Sequence, residues 1–366
     1  MTDEASEQAL LVGSAQYPRA RRQIPDAVWS IVGVLVSLVF LAPLLALAHA
    51  DIGRGYHDLA DASFGSSFSF GFLLLAATPL VLVGVGVAVP FRAGLFNLGG
   101  EGQLLLGALI AVEVAVAFPV SGNSPVSFVV PLAAGAGAGA LVAIIPASLK
   151  ARRGASEIVT TIMLNFIVTF LVQYLVRGPF EGANAVYPTT DLVPAGIRLG
   201  RYGPSSLIPM GYVVAVFVAL VVWAVMEFTR LGWRQRLVGL NRLVAARQGI
   251  SVPREWMVAL AIGGAVAGLG GACEALGNQL QVGYSFSPGW GWDSISIALL
   301  ARGNALAVVP FALYFAFLRN GALVLQQDLQ VSSDLILAMG GAPVMLVASI
   351  IGYRSYRRFT AEPVPD

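Results

Sequence analysis

The chain has 366 residues, of which 57% are hydrophobic and only 11% charged, with a net charge of +2 and mean hydropathy +0.77. A soluble domain carries about a quarter charged residues, so this composition excludes one. The single cysteine, Cys273, excludes an intrachain disulfide.

Residues 1–27 are polar and read as a tail. Val28–Ala48 is the first of several nearly uncharged runs of about 18 residues or more, the length that crosses a bilayer as a helix. It is too long for a signal-peptide core and has no small-residue cleavage site, so it reads as a true span. His49 and His57 follow in one short loop, without the further ligands that a metal site needs. Further crossings are expected near 69–90, 94–118, 126–149, 157–176, 209–228, 256–276, 290–301, 304–319 and 334–353, and 354–366 is a second tail. Period-two alternation, the mark of a membrane β-barrel, is missing. The expected fold is all-α: a polytopic transmembrane helical bundle of about ten spans over residues 28–353. The eighth and ninth runs are short and also fit a re-entrant pair.

Arginines set the expected orientation. With the N-terminus inside, one side receives Arg19, Arg21 and Arg22, Arg92, Lys150 to Arg153, the loop 229–255, Arg302, and Arg354 to Arg358. The other side receives Arg54, Arg177, Arg198, Arg201 and Arg319. This asymmetry follows the positive-inside rule with both termini in the cytoplasm.

Polar groups within apolar runs are the candidate functional residues, because they are costly in lipid and face a bundle interior or a watery cavity. Glu101, in GLFNLGGEGQLLLGA (94–108), lies nine residues after Arg92, about 13 Å into a ~30 Å core if helical. Gly94, Gly99, Gly100 and Gly102 point to a broken backbone, which is tolerated at that depth only in protein or along a cavity. With Asn97 and Gln103 it forms a candidate path lining; the competing reading makes Glu101 an internal strut. Glu157, Asn165 and Asp293 join the path set, although a dipole-complementing place at a helix start suits Glu157 and Asp293 better. Glu113, Gln173, Glu274, Asn278 and Gln279 are further polar groups at depth. The glycines at 135, 137, 139, 263, 264, 268, 270 and 271 read as close helix packing.

Residues 157–164 (EIVTTIML) and 293–300 (DSISIALL) share an acid, a hydroxyl three residues on and a leucine seven on. Started from opposite faces, they fit an inverted repeat relating two halves, with chance as the rival. In the basic loop 229–255, Trp233, Leu237, Leu240 and Val244 follow helical spacing. Gly249 and then Pro253 stop the helix, which reads as a basic amphipathic segment resting on the lipid surface. No Gly-Lys dipeptide exists, so a Walker A loop is excluded, and no zinc spacing or Ser-His-Asp set is found. No enzymatic activity is expected of this chain, and no metal or catalytic residue is assigned.

GLFNLGGEGQLLLGA, GASEIVTTIMLN, VGLNRLVAARQGISV and GWGWDSISIALLARGN occur in this order. Over about residues 70–350 the chain resembles the permease subunits of bacterial ABC importers for nucleosides and simple sugars, within the group that also serves branched-chain amino acids. The resemblance implies a second homologous permease, a cytoplasmic ATP-binding subunit that hydrolyses ATP with Mg, and an extracytoplasmic binding protein, often a lipoprotein. Cofactors are then none in this chain, its surroundings are lipid of the cytoplasmic membrane, and no nucleic acid is involved. The 229–255 loop becomes the ATPase-coupling element, with Leu237, Gly239, Leu240, Asn241, Arg247 and Gly249 at its centre. ALAVVP after Asn304 and AMGGAP at 338–343 depart from the family pattern. Nucleosides lead as cargo, ahead of sugars and branched-chain amino acids; an ion-coupled secondary transporter is the main rival.

Overall fold

A computed structural model describes residues 26–47, 49–118, 126–183, 186–202 and 207–329, together with residues 332, 340, 341, 343–345 and 349. Residues 1–25, the C-terminal tail, most of the tenth expected crossing and half of AMGGAP lie outside these residues. Twelve α-helices are described: α1 (Asp26–Leu47), α2 (Ile52–Phe64), α3 (Ser67–Arg92), α4 (Gly100–Ala117), α5 (Val126–Arg153) and α6 (Glu157–Val176). They continue with α7 (Met210–Phe228), α8 (Arg230–Leu240), α9 (Arg242–Arg247), α10 (Val252–Glu274), α11 (Trp290–Leu300) and α12 (Ala305–Asp328). Seven helical stretches are long and apolar enough to cross a membrane. Two-residue strands, Arg201–Tyr202 and Ile208–Pro209, pair between α6 and α7. The chain is a multi-pass, all-α membrane protein.

Helix α10 occupies the centre, against α3, α4 and α5. Its approach to α5 is backbone on backbone. A Cβ on Gly268 would fall 2.9 Å from the Cα of Gly139, and one on Gly135 would fall 2.7 Å from the Gly107 carbonyl oxygen of α4. Lipid tails are as apolar as leucine, so close van der Waals packing of small residues, rather than burial from water, holds such crossings. The glycine clusters are packing surfaces, as their composition indicated.

Charged contacts define one end of the bundle. Arg92 at the end of α3 pairs with Glu227 at the end of α7, which also binds Arg236 of α8 at 2.6 Å. Lys150 at the end of α5 pairs with Glu157 at the start of α6, and its ammonium lies 4.9 Å from the Trp256 ring centroid. At the opposite end, the loop between α6 and α7 is stitched to the segment after α10, where Thr190 N–H donates to the Val282 carbonyl at 3.0 Å.

Several sequence expectations change. His57 lies on α2, an amphipathic helix whose buried Leu59 packs under α12, so the two histidines do not share a loop. The ninth crossing is no half-span: α12 runs for 24 residues, capped by the Asn304 side chain and continuing through Pro310 in its second turn. A break recurs in two helix pairs, α3 plus α4 and α10 plus α11. In each a long helix ends, a non-helical stretch (93–99 or 280–289) turns back into the bundle, and a new helix begins inside it. The first descends to the charged end and the second leaves it, an inverted arrangement.

Candidate translocation site

The Gly-rich segment breaks as its composition dictates. After Arg92, Gly94 adopts φ +72, and Leu95 N–H returns to the Pro90 carbonyl at 3.0 Å. Residues 95–99 then run non-helically beside α6 until α4 starts at Gly100. Backbone of this kind needs partners in the absence of water, and side chains supply them. Asn97 Oδ1 accepts Gly99 N–H at 3.0 Å and Gln103 Nε2 at 3.1 Å, while Asn97 Nδ2 donates to Gln103 Oε1 at 3.0 Å. Asn165 straps the segment to α6: its Oδ1 accepts Gly102 N–H at 2.7 Å and its Nδ2 donates to the Leu98 carbonyl at 2.6 Å.

Glu101 joins the two helix pairs. It stands in the first turn of α4, 8% exposed. Its Oε2 accepts the N–H of Gly291, in the first turn of α11, at 2.7 Å. The carboxylate thus meets the positive ends of two helix dipoles. Gly291 is required there, because a Cβ would fall 2.7 Å from that same oxygen. The 11 residues of α11 span about 16 Å from the charged end, roughly half of a ~30 Å core. This is the depth the sequence indicated for Glu101.

Beside Glu101 lies a cavity of about 270 Å³, just under the usual size of small-molecule pockets, about 300–1,000 Å³. Its polar lining is Glu101, Asn165, Thr169, Gln173 and Ser287; its aromatic lining is Phe166, Tyr284 and Trp292. Asn165, Thr169 and Gln173 recur every four residues, one polar stripe along α6. That periodicity is visible in the sequence, and Thr169 escapes notice because threonine is unremarkable in a membrane helix. Tyr284, Ser287 and Trp292 carry no comparable signal, since only the turn after α10 brings them in.

The six expected path residues therefore separate. Glu101 and Asn165 line the cavity. Asn97 and Gln103 are fully buried behind it as a reciprocal amide pair, so the structure corrects them to supports of the broken backbone. Asp293 binds Arg319 of α12 at 2.7 Å, and Arg319 also donates to the Pro288 carbonyl at 3.1 Å, which fixes the turn before α11. Glu157 is corrected outright: with Lys150 it lines a different crevice, at the charged end, together with Gly239, Leu240 and Asn241. Both acids stand in first helical turns, as the dipole argument expected.

The basic loop is also corrected in form. It is two helices, because Asn241 leaves helical geometry and caps α9 through Leu243 N–H at 3.0 Å and Val244 N–H at 3.2 Å. Gly239 fits tightly under α3, its Cβ position 3.1 Å from Gly94 N. Leu237 is half-buried and Arg247 exposed. Gly249 at φ +78 ends α9, and Pro253 opens α10. The apolar stripe does not turn inward: Leu240 is 78% exposed, and Trp233, Leu243 and Val244 are also exposed.

Residues 69–348 match the family model described as the branched-chain amino acid transport system / permease component. The chain is 32% identical to the glucose ABC transporter permease protein TsgB13 of Haloferax volcanii, over 92% of each chain. It is 31% identical to the guanosine ABC transporter permease protein NupP of Bacillus subtilis, over 88% of this chain and 93% of that one. It is 30% identical to the nucleoside ABC transporter permease protein NupB of Lactococcus lactis, over 85% of this chain and 86% of that one. A broken, glycine-lined helix pair around a buried carboxylate, sequence similarity at this coverage and a family match over more than half of the chain converge: the protein belongs to the branched-chain amino acid transport system permease family.

Proposed function

We propose that the chain is the membrane-spanning permease of an ATP-driven importer of nucleosides. The observation that carries this reading is the mid-depth cavity, with a carboxylate, two amides and two hydroxyls set among three aromatic rings. A nucleoside is uncharged, presents ribose hydroxyls and base edges to hydrogen-bonding groups, and offers a flat π-face to stack on aromatic side chains. Relatives named for guanosine and nucleosides support the same cargo.

The charged end faces the cytoplasm in this reading, in keeping with the positive-inside rule, and both termini lie there. Energy comes from a partner ATPase that uses ATP and Mg; this chain has no phosphate loop, holds no cofactor and catalyses no reaction. Among the described residues no cluster of three or more His, Cys, Asp or Glu suits a metal. Trp233, Leu240, Leu243 and Val244 are an exposed apolar surface on a basic two-helix element, the kind of polar-rimmed patch that marks an interaction site. Because Gly239 is wedged against Gly94, force on α8 acts directly on the break that leads to Glu101. A second, related permease completes the membrane unit, as paired guanosine permeases in Bacillus subtilis suggest. A binding protein delivers solute to the opposite face.

Uptake of labelled guanosine by proteoliposomes carrying the chain with its ATPase, second permease and binding protein is the test. Guanosine and uridine should compete, and glucose and leucine should not. Competition by glucose alone transfers the reading to sugars, for which the glucose-permease relative speaks.

A further inference from the structure

A second recess, of about 610 Å³, opens at the face opposite the charged end. Arg177, Tyr187, Thr189 and Gln279 are among its lining residues, and Tyr284 is another. Tyr284 also lines the mid-depth cavity and is the one residue the two linings share. Arg177 continues the α6 stripe of Asn165, Thr169 and Gln173 by one further step of four, so a single polar ladder of about 18 Å runs past both spaces.

The segment that carries Tyr284 is pinned on either side. Before it, Val282 N–H donates to Thr190 Oγ1 at 3.0 Å; after it, Gln279 Nε2 donates to the Phe286 carbonyl at 2.8 Å. Among the described residues no hydrogen bond holds the Tyr284 side chain itself. Its ring is covered by Arg177, whose guanidinium carbon stands 4.5 Å from the ring centroid. A fixed backbone with a side chain held only by a cation–π contact suits a moving part, because rotation about χ1 leaves the fold intact.

We infer that Tyr284 is the gate between the outer recess and the mid-depth cavity, latched by Arg177. This rests on the proposed translocation path. The recess then takes an uncharged, flat-faced solute: its π-face competes with the guanidinium for the tyrosine ring, and stacking on Tyr284 releases the latch. A cationic solute is repelled by Arg177, and a solute without a π-face opens the gate poorly. Tyr284 thereby adds to selectivity at the permease itself.

The test uses the assembled complex without ATP, with Cys273→Ser to remove the native thiol and Thr169→Cys to report on the cavity. A small water-soluble thiol reagent is applied from the recess side. Tyr284→Ala should speed modification of the reporter by roughly two- to fivefold, the scale of one exposed cation–π contact. Tyr284→Phe keeps the ring and should match the parent. Arg177→Gln releases the latch without touching the gate and should also speed modification, which guards against a misfolded Tyr284→Ala. Guanosine should accelerate modification in the parent and have no effect in Tyr284→Ala. Equal rates in the parent, Tyr284→Ala and Arg177→Gln overturn the gate. Failure of the path reads out separately: guanosine uptake that survives full modification of the reporter removes the cavity from the path, whatever the rates.

Discussion

Glu101→Gln and Glu101→Ala are expected to part company, in a way that separates support from transport. In the wild type, Oε2 accepts the buried Gly291 N–H at 2.7 Å. Glutamine keeps an acceptor there, exchanging a charge-assisted bond for a neutral one, at a cost of about 1 kcal/mol. Alanine leaves the Gly291 N–H without its acceptor, at about 1–3 kcal/mol for a buried group. SDS-titration unfolding of the purified permease should therefore rank wild type, Gln, Ala in falling stability. Uptake should fall in both, and in Glu101→Gln it should fall further than stability or assembly does. Equal stability of the Gln and Ala variants refutes the clamp. Wild-type uptake by Glu101→Gln removes the carboxylate from the path and leaves it a strut.

Leu240→Asp is expected to cost the isolated chain little, because the side chain is already exposed, while solute-stimulated ATP hydrolysis by the complex collapses. Intact stimulation would remove the α8–α9 element from coupling. Gly268→Val should destabilise the bundle by about 1–3 kcal/mol through overpacking against Gly139 and Gly135, seen as a lower unfolding midpoint; an unchanged midpoint denies the backbone contact. In a Cys273→Ser background, Tyr187→Cys should label in right-side-out vesicles and Arg242→Cys only after permeabilisation. Outside labelling at position 242 reverses the orientation.

Much of this was legible in the chain because lipid simplifies the code. Uncharged runs of bilayer length give helices whatever their propensities, and the runs at 126–149, 157–176 and 209–228 became α5, α6 and α7 with only their ends adjusted. Four glycines around an acid at depth identified the broken segment correctly, since neither a continuous lipid-facing helix nor a loop tolerates that composition. What escaped the sequence was what depends on the chain doubling back. Asn97 and Gln103 look like path residues until the break shows that Gly99 N–H needs an acceptor. Glu157 looks intramembrane until Lys150, seven residues earlier, is brought beside it by a tight turn. Gly291 as the partner of Glu101 is 190 residues away, and no local pattern announces it.

The central claim is that the cavity beside Glu101 passes solute only when a partner hydrolyses ATP. The most direct measurement is accumulation of labelled guanosine in proteoliposomes, with and without the ATPase, under imposed proton or sodium gradients. The account predicts accumulation that requires ATP and the ATPase, ignores both gradients and is abolished by Glu101→Ala. Gradient-driven accumulation by the chain without an ATPase would contradict it and make the protein a secondary transporter.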